Sequence, residues 1–405
     1  MDTCNAQIHE LYNFYREYLL SDVIAFWEDR TIDLEFGGFI TGFDRTGNII
    51  DESKNTWMQG RQVWMFSTLY EKVENREKWL RLARHGRNFL AERAYAGNGQ
   101  WNYILGRNGS VIQGPVSVFG DLFALEGLSA YCLASGDRRD LKLIEETLEA
   151  VTIELEQAAF HRIAPQKRFE GTEIQGVYMI ALNSLEPVER LLGDGRAKKL
   201  RCLCLEKIMT RFSNPKAGLM FDILSGEGTK VPGSGILVNP GHTFESMWFC
   251  LEAAMQLGME EYIQPAVKII EGTLRISKDS QYGGIFYMLT PDGGKPDFWD
   301  WITERNLKYD EKVWWTHAEA LYSLLLASEV GKRPELFSEF LSLQNWCFSN
   351  FADKEYGEWY YVLNRNGIPR LDIKGGLQKC AFHLPRALYK IMILLKKISE
   401  GNYKL

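Results

Sequence analysis

The stretch Gly37-Gly-Phe-Ile-Thr-Gly-Phe43-Asp-Arg-Thr-Gly47 places a glycine, an apolar residue two positions on and a closing Asp-x-x-Gly turn in the order of a short β-hairpin. The opening recurs at Gly99-Gln-Trp101, Gly218-Leu-Met220, Gly283-Gly-Ile285 and Gly357-Glu-Trp359. The closing turn recurs at Arg107-Asn-Gly109, Pro291-Asp-Gly293 and Arg365-Asn-Gly367. Steps between openings are 62, 119, 65 and 74 residues. The long step divides into two units of about sixty residues, with a degenerate copy near His161 to Phe169. The count is then six units.

Between the hairpins, Lys78 to Tyr95, Leu141 to Ala158, Ala197 to Phe212, Glu260 to Leu274 and Glu335 to Phe351 carry apolar residues at helical spacing. Each unit has room for two helices. Helix pairs repeated six times, with hairpins at one end, describe an all-α (α/α)6 barrel, or toroid. Units of this size bury little alone, so 1–405 is read as a single closed catalytic domain. No Pro/Gly/Ser-rich linker, low-complexity segment or charge block offers a boundary.

Half of the six histidines lie in aromatic and acidic clusters: Asn239-Pro-Gly-His242-Thr-Phe-Glu245, Trp314-Trp-Thr-His317-Ala-Glu319, and Lys374-Gly-Gly through His383-Leu-Pro-Arg386. Their phase in the repeat is similar. Arg61 falls 24 residues after Gly37, His242 24 after Gly218, His383 26 after Gly357 and His317 34 after Gly283. In-phase residues on inner helices converge on one end of a central cavity. Histidines gathered there make a proton-transfer site for neutral pH. Taken singly, a histidine beside a tryptophan is usually a satisfied structural residue; His9, His85 and His161 are left as surface or packing residues.

A net charge of −6 with no basic cluster argues against nucleic acid or an acidic membrane surface as partner. No apolar run reads as a membrane span and no signal-peptide pattern opens the chain, so a cytoplasmic location is expected. Seven scattered cysteines without a Cys-x-x-Cys pair read as reduced thiols, with Cys380 notable for its place near His383. Aromatics form 13% of the chain; most wedge helix pairs together. The clusters at Trp57 and Trp64, Trp101 and Tyr103, Trp248, Trp314 and Trp315, and Trp359 and Tyr360 are candidates for stacking on a sugar ring. The substrate is expected to be small.

The segments Trp57-Met-Gln-Gly-Arg61-Gln-Val-Trp64-Met, Asn239-Pro-Gly-His242-Thr-Phe-Glu245, Trp314-Trp-Thr-His317-Ala-Glu319-Ala and Ile373-Lys-Gly-Gly through Arg386 resemble, in order and over nearly the whole chain, the signature blocks of the N-acylglucosamine 2-epimerase family. The resemblance implies an (α/α)6 barrel that interconverts sugars epimeric at C2, N-acetylglucosamine and N-acetylmannosamine above all. Cellobiose 2-epimerases and related aldose–ketose isomerases carry an extra histidine on a middle helix. The corresponding stretch here, Gly176-Val-Tyr-Met-Ile-Ala-Leu-Asn183, has none, which favours the N-acyl sugar. The alternative is a 2-epimerase or isomerase acting on a free sugar such as mannose, or on cellobiose.

Epimerisation at C2 opens the ring, removes the C2 proton toward an enolate and returns a proton to the opposite face. By resemblance and by matched pKa, His242 and His383 are the acid/base pair, Arg61 the fixed positive partner of the enolate oxygen, and Glu319 a further catalytic residue. Glu245, one helical turn after His242, is expected to orient that imidazole. His317, two residues from Glu319, points to a different side of a regular helix. It is kept with Trp57, Trp315 and Arg386 among the substrate-binding candidates, Arg386 reading alternatively as the partner of a buried carboxylate.

No dense metal-ligand spacing and no phosphate-binding loop is present, so no metal and no required cofactor is expected. By resemblance ATP is an allosteric activator and the assembly a homodimer. Two other classes stay open. A toroidal glycoside hydrolase or lyase needs a lumenal carboxylate pair in place of histidines. A non-catalytic binding module needs no acid/base pair.

Overall fold

Glycines 37, 99, 218, 283 and 357 all have positive φ, between 70° and 80°, the left-handed conformation that a side chain disfavours. Each turns the chain back so that the apolar residue two positions on pairs with the residue closing the preceding helix: Phe39 with Ile32, Trp101 with Tyr95, Met220 with Ser213, Ile285 with Lys278 and Trp359 with Ala352. These five apolar residues are buried. The computed structural model describes residues 3–157, 160–165, 172–225, 237–296 and 307–401. The degenerate copy is described only at His161 to Pro165, where Ile163 bridges to Ser117; its remainder lies outside the described residues.

The helices in chain order are α1 (Thr3–Tyr18), α2 (Ile24–Arg30), α3 (Thr56–Thr68), α4 (Glu77–Phe89), α5 (Val118–Ser135), α6 (Leu141–Gln157), α7 (Gln175–Leu192), α8 (Arg196–Lys207), α9 (Pro240–Leu257), α10 (Ile263–Ser277), α11 (Trp314–Val330), α12 (Pro334–Asn350) and α13 (His383–Ser399). Helices α3, α5, α7, α9, α11 and α13 form an inner ring of touching neighbours. Trp64 of α3 against Tyr389 of α13 closes it. Outside, α4 packs on α3, α6 on α5, α8 on α7, α10 on α9, α12 on α11 and α1 on α13. This is the expected (α/α)6 barrel, with short hairpins at one end.

Inner and outer helices differ as their places require. Every residue from Val118 to Cys132 of α5 is buried, whereas α4 buries one stripe containing Trp79, Leu80, Leu82, Ala83 and Phe89. Helix α5 departs from one expectation, because it has the length and apolar composition of a membrane-crossing segment. It is instead enclosed between α3 and α7. Two glycines let α3 and α5 meet backbone to backbone. A Cβ on Gly60 would lie 2.2 Å from the Phe123 carbonyl oxygen, and one on Gly127 2.6 Å from that of Gly60.

The hairpin end is fastened by a repeated charge cluster. Asp33, Asp279 and Asp353 each stand four residues before the turn glycine and accept backbone N–H groups of that turn. Each also takes a buried lysine, Lys54 (2.8 Å), Lys312 (3.1 Å) and Lys374 (2.9 Å) respectively. An arginine from another hairpin completes each cluster: Arg107 (3.1 Å), Arg365 (2.9 Å) and Arg45 (2.8 Å). The Arg45–Asp353 pair joins the last unit to the first.

Burial alone would raise these carboxyl groups. The arginine and lysine contacts outweigh it, holding Asp33 and Asp353 well below the usual carboxylate range and Asp279 at about 2. A depressed carboxylate contributes stability that is complete above its unfolded pKa of about 3.9 and is lost as pH falls through the folded value. The urea midpoint is therefore expected to drop between about pH 5 and pH 2. Asp279→Asn should lower the unfolding free energy at pH 7 by on the order of 3 kcal/mol, seen as a lower midpoint, and flatten the acid drop. Urea titrations of both proteins across this range check it.

A candidate active site at the inner helix N-termini

All six inner helices begin at the hairpin end, so their first turns surround one cavity of about 410 Å³. Its wall takes Trp57, Met58 and Arg61 from α3, Phe119 from α5, Gly176, Met179 and Ile180 from α7, His242 and Glu245 from α9, Trp314 and Trp315 from α11, and His383 from α13. Helix N-termini carry unsatisfied N–H groups and the positive end of the macrodipole, so the arrangement favours negative charge developing in the cavity. Side-chain caps set two of these starts. Asn55 accepts the N–H of Trp57 and Asn239 that of His242.

Two histidines face the cavity, each tied through Nδ1 to a carboxylate. His242 Nδ1 lies 2.6 Å from Asp222 Oδ2, and His383 Nδ1 lies 2.7 Å from Glu319 Oε1. Such a bond keeps the proton on Nδ1 and gives Nε2 to the proton-transfer chemistry. Trp315 packs against both imidazoles, its ring centroid 5.2 Å from His242 and 5.6 Å from His383. Gly241 makes room for it, since a Cβ there would lie 2.5 Å from the indole.

The two dyads have different surroundings. Glu319 also accepts from Trp248 Nε1 (2.7 Å) and from Arg386 Nη2 (2.7 Å), and Arg386 donates in addition to Glu245. Burial pushes the His383 imidazole well below its ordinary value; the nearby Glu245 charge opposes this, while Arg61 and Arg386 add to it. His383 is therefore neutral at pH 7, ready to accept a proton. Ligand atoms of Glu245, Glu319 and His383 lie within 4.8 Å of one another, close enough to hold a cation. Arg386 already supplies that positive charge.

Arg61 is buried with its guanidinium carbon over the rings of Phe123 (4.3 Å), Phe382 (4.4 Å) and Trp57 (4.8 Å). Its Nε has no acceptor among the described residues. Burial lowers its pKa to about 10, which leaves it charged at neutral pH and available to an oxyanion.

Six residues expected at the site thus line the cavity: His242, His383, Arg61, Glu245, Trp57 and Trp315. Others lie elsewhere. Glu319 and Arg386 are behind the wall, acting on His383, and Arg386 has the buried-carboxylate partners of its alternative reading. Glu245, expected to orient His242, is drawn to Arg386 instead, and Asp222 takes its place at the imidazole.

His317 is a structural residue. Its Nδ1–H donates to the Val313 carbonyl (2.8 Å), Nε2 accepts the Ile285 N–H (2.9 Å), and burial drives its pKa down to about 3. Trp101, Trp248 and Trp359 are likewise core residues, and Trp64 packs on Phe382. Cys380 is a buried thiol pushed up to about 12, too high for a nucleophile at neutral pH. Asp222, Gln378, Tyr287 and Tyr361, also on the wall, belong to no block singled out in the sequence except Gln378, which lies inside the last one.

Residues 37–387 match the N-acylglucosamine 2-epimerase (GlcNAc 2-epimerase) family. The chain is 31% identical to the N-acylglucosamine 2-epimerase of Bos taurus, over 91% of this chain and 87% of that protein. It is 26% identical to the cellobiose 2-epimerase of Bacteroides fragilis, over 92% of this chain and 96% of the other. In fold it resembles the cellobiose 2-epimerase of Spirochaeta thermophila with a TM-score of 0.82 at 20% identity, covering 98% of this chain and 100% of that one.

Proposed function

We propose, from the premise that this chain belongs to the N-acylglucosamine 2-epimerase family, that it is a sugar 2-epimerase interconverting N-acetyl-D-glucosamine and N-acetyl-D-mannosamine. The observation that carries this reading is the pair of histidine–carboxylate dyads, Asp222–His242 and Glu319–His383, presented to one cavity from α9 and α13. In the open-chain sugar, one imidazole takes the C2 proton and the C–H electron pair moves onto the C1 carbonyl oxygen. Arg61 and the helix N-termini hold the resulting oxyanion. The other imidazolium delivers a proton to the opposite face of C2, and the two histidines exchange protons with solvent before the next turnover.

The N-acyl sugar is favoured over a free one by how the wall is divided. The adjoining helices α3, α5 and α7 give the wall an apolar side of Trp57, Met58, Phe119, Met179 and Ile180, broken by Arg61, while α9 and α13 contribute the histidines and Glu245. An unmodified aldose bears a hydroxyl on every carbon that would face that apolar side; an acetamido methyl fits it. Because one methyl-sized group in a hydrophobic pocket is worth about 10- to 200-fold, kcat/KM for N-acetylmannosamine should exceed that for mannose by at least this much. Equal values for mannose or cellobiose would move the protein to the free-sugar reading. Cytoplasmic location, homodimeric assembly, ATP activation and one catalytic domain over 1–405 belong to the same proposal and rest on the sequence and the resemblance alone.

A further inference from the structure

His242 takes its carboxylate from outside the inner ring. Asp222 follows the hairpin strand Leu219–Met220; its carbonyl accepts the N–H of Gln175, the first residue of α7 (2.8 Å). The next strand, Ile223–Ser225, pairs antiparallel with Thr172–Ile174. The backbone is thus held on both sides of the carboxylate, which is on the cavity wall. Oδ2 reaches His242 Nδ1, and Oδ1 is buried without a hydrogen-bond partner among the described residues. The other dyad is independent, since Glu319, Arg386 and Trp248 all come from inner helices.

We propose that Asp222 is a positioning residue that keeps the His242 proton on Nδ1. Proton transfer at one face of C2 then depends on Asp222, and transfer at the other does not. The proposal rests on the two-histidine reading above. A carboxylate bound to Nδ1 fixes both tautomer and ring orientation.

The test uses the full chain in D2O, with reactions begun separately from N-acetylmannosamine and N-acetylglucosamine. Proton NMR follows both epimer formation and deuterium wash-in at C2 of the recovered starting sugar. In Asp222→Asn, epimerisation should fall by about 10²- to 10⁴-fold, as for a histidine in the wrong tautomer. Wash-in should persist from one sugar, whose proton His383 removes and returns on the same face, and should be lost from the other. His242→Ala should reproduce this one-sided pattern and His383→Ala its mirror image. Near-normal epimerisation in Asp222→Asn, or equal loss of wash-in from both sugars in a folded variant, would overturn the proposal. Should Asp222→Asn not fold, Asp222→Glu carries the same test with a displaced carboxylate. Wild-type protein that exchanges neither sugar would sink the two-histidine reading itself, and the Asp222 proposal with it.

Discussion

His383→Ala is expected to lower kcat for epimerisation by about 10³-fold or more while leaving the protein folded. The loss is this large because, with His383 gone, one face of C2 has no group to accept or deliver a proton. The fold should survive because the groups behind His383 keep their own partners. Glu319 still accepts from Trp248 and Arg386, and Arg386 still pairs with Glu245. Circular dichroism and a urea titration separate this outcome from unfolding. The pH dependence has a definite sign. Burial holds the His383 imidazole well below its ordinary value of 6.5, so it stays neutral as pH falls through 6.5. In the direction where His383 removes the proton, kcat/KM should therefore hold through that value and decline only at lower pH.

Arg386→Leu should have the largest effect on stability. Arg386 is 1% exposed and is the cation shared by Glu245 and Glu319, themselves almost wholly buried. Removing it leaves two carboxylates facing each other in the interior. Breaking a buried charge set in this way costs about 3–5 kcal/mol, readable as a lower urea midpoint with little change in slope. Activity should fall with it, because Glu319 then lacks the charge that holds it against His383. Arg386→Lys should recover only part, since an ammonium cannot match the fork of donors that a guanidinium presents to two carboxylates. An Arg386→Leu protein as stable as wild type would show that the carboxylates find other partners.

The architecture was readable because its repeat is written in local chemistry. Gly37, Gly99, Gly218, Gly283 and Gly357 must take positive φ, and the apolar residue two positions later must be buried. Outer helices α4, α6, α8, α10 and α12 show their stripes, and their observed starts lie within a few residues of the expected ones. The final turns run on in places, as at Leu90–Ala94 and Ile208–Phe212, which form π-helical turns.

Site residues on inner helices were legible for a related reason. His242, His383 and Arg61 fall in the first two turns of helices that start together, so phase in the repeat places them at one end. What helical spacing could not supply was the direction of each charged side chain. Glu245 is one turn from His242, but Arg386, 141 residues away, outcompetes the imidazole for it.

Asp222 gave no signal. It sits 20 residues before His242, and the two meet only because Ile223–Ser225 pairs with Thr172–Ile174. His317 shows the converse error, since it lies in phase with the site. On α11, however, it is two residues from both Trp315 and Glu319, so it faces the hairpin backbone at Ile285. The recurring Asp33, Asp279 and Asp353 also lay outside the motifs read from the sequence, because nothing local says which hairpin will supply the arginine.

The central claim is that two histidines exchange the C2 proton of an N-acyl sugar with solvent. It is tested most directly by incubating the purified protein with N-acetylmannosamine in D2O and following the sugar by proton NMR. The account predicts N-acetylglucosamine carrying deuterium at C2. N-acetylglucosamine formed with its original proton retained, or no N-acetylglucosamine at all, would contradict it.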